Sequence, residues 1–227
     1  MSVSGKIRTS KKHKILITAG PTVEPLDPIR YLSNYSTGEM GYAISSESVK
    51  RGHEVCLISG PVKIKPPQAV RLVNIKTAEE MSKEVKKRVR KYDCIMMTAA
   101  VCDFRPQRLQ KDKIKKNDFL ELKLEKNPDI LLELRDYKNL VKVGFALETK
   151  NLIKNGRQKL KNKNLDIIVL NEKRKNKDPF GSGAKEYVML TARDNQIKRI
   201  KKISKKEMAK IILKETERIL ELQGTDE

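Results

Sequence analysis

Short apolar runs recur along this chain with amphipathic stretches between them. Lys14 to Thr18, Glu54 to Ser59, Val70 to Ile75, Cys94 to Ala100, Val141 to Ala146 and Asp166 to Leu170 have the near-continuous apolar character of strands covered on both faces. Between them, helical patterns predict helices over Gly38 to Arg51, Ala78 to Lys91, Pro128 to Arg135 and Asn151 to Lys161. That alternation predicts an α/β fold with one largely parallel sheet and flanking helices. Phe119 to Leu124 alternates apolar and polar residues and predicts a half-exposed strand. Tyr187 to Ala192 and Gln196 to Ile200 predict a hairpin around Arg193, Asp194 and Asn195. Ser204-Lys-Lys-Glu207 is a capping box, and the helix it opens has an apolar face of Met208, Ile211, Ile212, Ile219 and Leu222, a packing element rather than a functional one.

Two segments resist regular structure. Lys173 to Lys185 contains Asp178-Pro-Phe-Gly-Ser-Gly183, with the composition of a surface turn. Asp103 to Asn117 carries Arg, Pro and Lys directly after a buried strand, where open α/β sheets place their ligands. The expected organisation is a basic tail over residues 1–13 and one domain over residues 14–227, with flexible loops at about 104–117 and 173–185.

Charge widens the choice of partners. A net charge of +21, with clusters at Lys83 to Lys91, Lys111 to Lys116 and Lys198 to Lys206, suits a polyanion, so a basic nucleic-acid-binding protein is one alternative. Aromatics are only 4% of residues, and no zinc-finger spacing, helix-turn-helix or aromatic RNA-binding motif is present, so specific nucleic-acid binding is not expected. A solvated surface accounts for most of these lysines. Cys56, Cys94 and Cys102 are scattered and odd in number, which fits buried cytosolic thiols. With His13 and His53 the only histidines, any metal should arrive with phosphate rather than in a zinc site. No apolar run approaches the ~20 residues that span a bilayer and no signal peptide is visible, so the expectation is a cytoplasmic protein without a membrane segment.

Candidate chemistry begins at Arg30-Tyr-Leu-Ser-Asn-Tyr-Ser-Thr-Gly-Glu-Met-Gly41, which sets Arg, Asn, hydroxyls and glycines at a strand-to-helix junction suited to a phosphate or carboxylate. On those residues alone, a helix capped by Ser36 or Thr37 and packed closely through its glycines accounts for the same pattern. No Gly-x-Gly-x-x-Gly follows the first strand, and Gly20-Pro-Thr-Val-Glu is not a Walker loop. An NAD-type Rossmann oxidoreductase, the other alternative, therefore lacks its fingerprint. Further strand-end motifs follow in order: Thr98-Ala-Ala-Val-Cys-Asp-Phe-Arg-Pro106, Lys113-Ile-Lys-Lys116, Lys126-Asn-Pro-Asp129 and Gly144-Phe-Ala-Leu-Glu-Thr149.

This ordered set, with the opening Ile17-Thr-Ala-Gly-Pro-Thr22, resembles phosphopantothenoylcysteine synthetase of coenzyme A biosynthesis over nearly the whole chain. The resemblance implies a Rossmann-like fold with a small antiparallel, dimer-forming extension, for which Phe119 to Lys126 is the candidate segment. It implies a ligase that joins 4'-phosphopantothenate and L-cysteine through an acyl-nucleotidylate, with a nucleoside triphosphate (CTP before ATP) and Mg²⁺. The flavin-binding decarboxylase half found in fused relatives has no counterpart here, so no flavin is expected and the chain looks like a stand-alone synthetase acting as a homodimer.

The resemblance also assigns residues. Asn34, Arg30 and Lys113 match catalytic positions, with Asn34 holding the acyl-nucleotidylate and Lys113 neutralising the triphosphate. Met97, Thr98, Ala99, Asp103, Lys113, Lys126, Asn127, Pro128, Phe145, Lys159 and Lys163 match nucleotide-contacting positions. Arg30, Asn34, Ser36, Thr37, Gly38, Gly41 and Ala100 match the acid-substrate site. No metal ligand is assigned. Glu39 stands where relatives commonly have Lys and is not counted as a ligand, and Cys102 replaces a usual Ala and is not a catalytic thiol.

Overall fold

A computed structural model describes residues 11–116, 120–172 and 183–223. In chain order the elements are β1 (Lys14–Ala19), β2 (Val23–Pro25), β3 (Tyr31–Ser33), α1 (Glu39–Lys50), β4 (Glu54–Ser59), β5 (Val70–Asn74), α2 (Ala78–Arg88), β6 (Cys94–Met97), β7 (Phe104–Pro106), β8 (Leu124–Lys126), α3 (Ile130–Glu133), β9 (Val141–Glu148), α4 (Leu152–Asn162), β10 (Ile167–Glu172), β11 (Lys185–Thr191), β12 (Ile197–Ile203) and α5 (Lys205–Gln223). Eight strands form one sheet in the order β12-β11-β10-β9-β6-β1-β4-β5. The strands from β5 through β10 pair in parallel, and β11 and β12 extend the sheet as an antiparallel hairpin. The expected α/β fold with a largely parallel sheet is the observed one.

Period-two alternation divides the strand residues between two cores. Ile15 and Ile17 of β1 join Ile44 of α1 and Met208, Ile212 and Leu213 of α5 on one face, whereas Leu16 joins Met81 and Val85 of α2 and Leu131 of α3 on the other. Each fully buried Ile or Leu contributes roughly 1.5–3 kcal/mol, so neither face tolerates a one-residue slip of register. Two helices start at capping boxes. Thr77 and Glu80 form a capping box for α2, and Ser204 and Glu207 form the one expected for α5.

Local departures from expectation have local causes. The predicted strand over Phe119 to Leu124 moves to Leu124–Lys126, where among the described residues it pairs only with β7, and Leu120, Leu122 and Leu124 all stay exposed. Phe119 itself lies outside the described residues, as do 173–182 of the second expected loop. The first expected loop is partly regular, because Phe104–Pro106 forms β7. Helix α3 is confined to Ile130–Glu133, shorter than its predicted span. The expected basic tail does not reach His13, which is buried and whose N–H donates to His53 Nδ1 at 3.3 Å.

Sheet order decides where a ligand can bind. From β1 the chain moves outward through β4 and β5, then returns to the other side of β1 as β6. The crevice beyond the carboxyl ends of β1 and β6 is thus a topological switch point.

Candidate active site

Beyond β1 and β6 the two chain segments remain tied together. Ala100 donates its N–H to Gly20 O at 2.9 Å and accepts from Thr22 N–H at 3.1 Å, and Thr98 Oγ1 donates to Thr18 O at 2.6 Å. The segment Thr98 to Cys102 therefore forms a fixed floor rather than a free loop. Over it lies a cleft of about 950 Å³.

Helix α1 starts on one side of that cleft. Its N-cap is Gly38, at φ 77° and without a side-chain cap, so neither Ser36 nor Thr37 caps the helix. Their hydroxyls turn instead to the chain just ahead: Ser36 Oγ accepts from Gly38 N–H at 3.3 Å and Thr37 Oγ1 from Glu39 N–H at 3.5 Å. A Cβ on Gly41 would come within 2.5 Å of Thr98 Oγ1 and 2.6 Å of Ala19 Cβ, so glycine lets the first turn of α1 sit directly on the strand ends. Asn34, exposed toward the cleft, donates from Nδ2 to Ala100 O at 2.9 Å, which orients its amide against the floor.

The other side is built by α3 and α4. Asn127 spans the connection: its Nδ2 donates to Cys102 O at 2.9 Å and its Oδ1 accepts from Arg105 at 3.1 Å. Lys163 Nζ lies 2.8 Å from Asp129, the N-cap of α3, and Lys159 Nζ lies 2.6 Å from Glu148. Burial alone would push the Glu148 carboxyl up, but hydrogen bonds from Lys159 and Asn155 outweigh it and hold the group below its ordinary value. Both lysines thus stand at the cleft rim on carboxylate supports. Burial pushes the Cys102 thiol up, which keeps it protonated at neutral pH and unsuited to nucleophilic work.

Of the residues assigned from sequence, Asn34, Ser36, Thr37, Gly38, Gly41, Met97, Thr98, Ala99, Ala100, Asp103, Lys126, Asn127, Pro128, Phe145, Lys159 and Lys163 line this one cleft. Arg30 and Lys113 do not. Arg30 is clamped to Asp27, with Nε and Nη2 at 2.9 and 2.6 Å from Oδ2, and donates from Nη2 to Ile114 O at 2.7 Å. The neighbouring Lys113 lines a separate hollow of about 630 Å³ with Leu26, Pro106 and Ile114. The two cations missing from the cleft are therefore tied to the same segment.

The DNA/pantothenate metabolism flavoprotein C-terminal domain family model matches residues 10–220. The chain belongs to that family. It is 44% identical over 209 residues to the coenzyme A biosynthesis bifunctional protein CoaBC of Borreliella burgdorferi, covering 90% of this chain and 52% of that one. The chain spans about half the length of the curated relatives it matches. A crystal structure of the C-terminal domain of a CoaBC protein superposes with a TM-score of 0.81 at 35% identity, covering 94% of this chain and 98% of that one. A mutant of Cab2 in complex with phosphopantothenate-cysteine shares the fold, with a TM-score of 0.78 at 16% identity and coverage of 94% and 89%.

On its α3–α4 side the cleft presents the ammonium groups of Lys126, Lys159 and Lys163. Among the described residues no three His, Cys, Asp or Glu side chains gather as a metal site. Asp103 and Asp129 are exposed carboxylates lining the cleft, oxygen donors of the kind that would suit a divalent ion. No helix among the described residues is long and apolar enough to cross a membrane. Three polar cleft residues lie outside the motifs: Asn171, Tyr187 and Lys205. Tyr187 reads from sequence as a strand residue. Lys205 carried a signal, because a cation in the first turn opposes the helix dipole.

The Asp27–Arg30 clamp leads to a pH-dependent expectation. Burial pushes the Asp27 carboxyl up, but the N–H groups of Ile29, Arg30 and Ile114 and the Arg30 guanidinium outweigh it and hold the group well below the usual carboxylate range. A depressed carboxyl stabilises the fold above its unfolded pKa of about 3.9 and loses that contribution as pH falls through the folded value. Urea unfolding of wild type and Asp27→Asn is expected to give a stability gap that is constant from pH 8 to 5 and closes in stronger acid. A gap that persists undiminished to pH 2.5 would show that the carboxylate charge is not what holds this clamp.

Proposed function

We propose that the chain joins 4'-phosphopantothenate to L-cysteine in two steps, using CTP in preference to ATP. A carboxylate oxygen of phosphopantothenate attacks the α-phosphorus of the nucleotide, and pyrophosphate leaves. The cysteine amine then attacks the acyl carbon, the amide bond forms, and the nucleoside monophosphate leaves with the acyl oxygen. The products are 4'-phosphopantothenoylcysteine, pyrophosphate and the monophosphate.

The observation that carries this reading is the convergence of sequence-distant motifs on a single cleft at the switch point of the sheet. Both substrates are polyanions, and their meeting needs cations at the ends of the cleft with oriented neutral donors between them. Lys126, Lys159 and Lys163 supply cations toward α3 and α4, so the nucleotide takes that end, with Phe145 against the base. The acid substrate takes the α1 end, and the Asn34 amide sits between the two near the acyl phosphate. Mg²⁺ arriving with the triphosphate would screen its charge, and Asp103 is a carboxylate placed to face it.

The proposal extends to assembly. Phe104, Leu120, Leu122 and Leu124 are exposed around the β7–β8 ribbon, and Ile29, Tyr31 and Tyr35 around the β2–β3 ribbon. These short ribbons, outside the main sheet, form the dimer-making surface of a homodimer.

Pyrophosphate release from CTP and, separately, from ATP, with each substrate omitted in turn, tests the reading. Release is expected to require phosphopantothenate, and amide product to require cysteine as well. No release with either nucleotide would refute the ligase assignment.

A further inference from the structure

The β7–β8 ribbon divides its residues between two faces. Phe104 pairs with Lys126 and Arg105 with Glu125, so period-two alternation sends the first pair to one side and the second to the other. The described residues that line the cleft include Phe104 and Lys126 but neither Arg105 nor Glu125. On that outer face Arg105 Nε donates to Glu125 Oε1 at 2.9 Å, and its Nη1 reaches past the end of β8 to donate to Asn127 Oδ1 at 3.1 Å.

Asn127 carries that contact into the site. An asparagine amide can be turned over with little change of shape, so its direction is fixed by what its oxygen accepts. With Oδ1 facing the guanidinium, Nδ2 faces the cleft floor and donates to Cys102 O at 2.9 Å, while the backbone N–H donates to Asp103 O at 2.9 Å. One residue thus grips two consecutive carbonyls at the end of the floor. Lys126 precedes it, and Pro128 and Asp129 follow, Asp129 being the N-cap of α3 and the support of Lys163. The Arg105 and Glu125 side chains are 31% and 42% exposed, so their ion pair alone adds little stability. The second arm of the guanidinium fork, which a lysine could not supply together with the first, is the one with a consequence in the cleft.

We infer that Arg105 is a positioning residue for nucleotide binding: it fixes the direction of the Asn127 amide and, through it, the spacing between the cleft floor and the ammonium groups of Lys126 and Lys163. The inference rests on the ligase reading for which end of the cleft the nucleotide takes. The other end is built independently of Arg105, because Asn34 is anchored on Ala100 O and the first turn of α1 sits on the strand ends through Gly41. Loss of the Arg105 contact should therefore be felt by the nucleotide and not by the acid substrate.

Calorimetry on the full chain tests this, titrating phosphopantothenate alone and, separately, CTP or ATP with Mg²⁺, whichever nucleotide binds more tightly. Arg105→Met is expected to lower nucleotide affinity by roughly 10-fold, the effect of one charge-assisted hydrogen bond, with phosphopantothenate affinity unchanged. Arg105→Lys keeps the ion pair but not the second arm and should lose as much, so it carries the test if the Met variant fails to fold. Glu125→Gln removes the ion pair, leaves the Asn127 contact and should bind nucleotide like wild type. In an Asn127→Ala background, Arg105→Met should add no further loss. A merely structural arginine would lower the bound fraction for both ligands alike. If Arg105→Met and Arg105→Lys keep the wild-type nucleotide affinity, or if the losses from Arg105→Met and Asn127→Ala simply multiply, the inference falls. Absence of pyrophosphate release by wild type would refute the ligase reading, while the nucleotide affinities would still decide the role of Arg105. Wild type that binds neither nucleotide would overturn both.

Discussion

Asn34→Asp is expected to lower amide-product formation by about 10²- to 10³-fold, the usual cost of removing one oriented donor from a site of developing negative charge. Asn34 donates to Ala100 O, and that bond fixes which way its amide faces in the cleft. A carboxylate there has no N–H to donate, is repelled by the Ala100 carbonyl, and brings a negative charge to the place where, in the proposed reaction, a carboxylate meets an α-phosphate. Nucleotide binding should stay within a few-fold of wild type, because Lys126, Phe145, Lys159 and Lys163 at the far end of the cleft are untouched. Following pyrophosphate and amide product in parallel, with Asn34→Ala beside it, separates loss of the donor from added charge. Wild-type turnover in both variants would remove Asn34 from the reaction.

The sheet was legible because its strands are covered on both faces. Ile15, Leu16 and Ile17 are all buried in β1, and such continuous apolar runs have few competing readings. The start of α5 was equally legible, since a capping box is a contact between residues three apart. The β7–β8 ribbon was not. Leu120, Leu122 and Leu124 alternate as a buried strand face would, but the pairing is set by Phe104 opposite Lys126, a contact that local periodicity cannot encode. The β2–β3 ribbon, only three residues long in each strand, escaped for the same reason.

Within the site, motifs found residues whose chemistry and backbone geometry coincide. Gly38 and Gly41 are fixed by a positive φ and a close approach, and Asn127 by two segments that it must bridge. The signal at Lys205, a cation in the first turn, was outweighed by a helix whose apolar face explains its existence without reference to the cleft. Arg30 was found, yet its immediate partner was not. Asp27 lies three residues away in Asp27-Pro-Ile-Arg30, but the bond from Arg30 to Ile114 spans 84 positions and appears only in three dimensions.

That long-range bond bears on Lys113→Gln, which is expected to slow nucleotide activation by roughly 10²-fold while leaving nucleotide affinity nearly unchanged, as for a charge that acts on the transition state more than on the ground state. Lys113 is exposed outside the cleft, and residues 107–116 carry no helix or strand. Three attachments hold them: Gln107 N–H to Lys123 O, Gln110 N–H to Leu26 O, and the Ile114 bonds to Asp27 and Arg30. For Lys113 to neutralise the triphosphate in the proposed reaction, this segment has to move, and the Ile114 tether one residue away is the expected pivot. A rapid-quench pyrophosphate burst in Lys113→Gln should therefore be slow at saturating nucleotide. Asp27→Asn, which loosens the pivot without removing the charge, should slow the burst less. An unaltered burst in Lys113→Gln would leave activation to the lysines already lining the cleft and confine Lys113 to the outer hollow in which it lies.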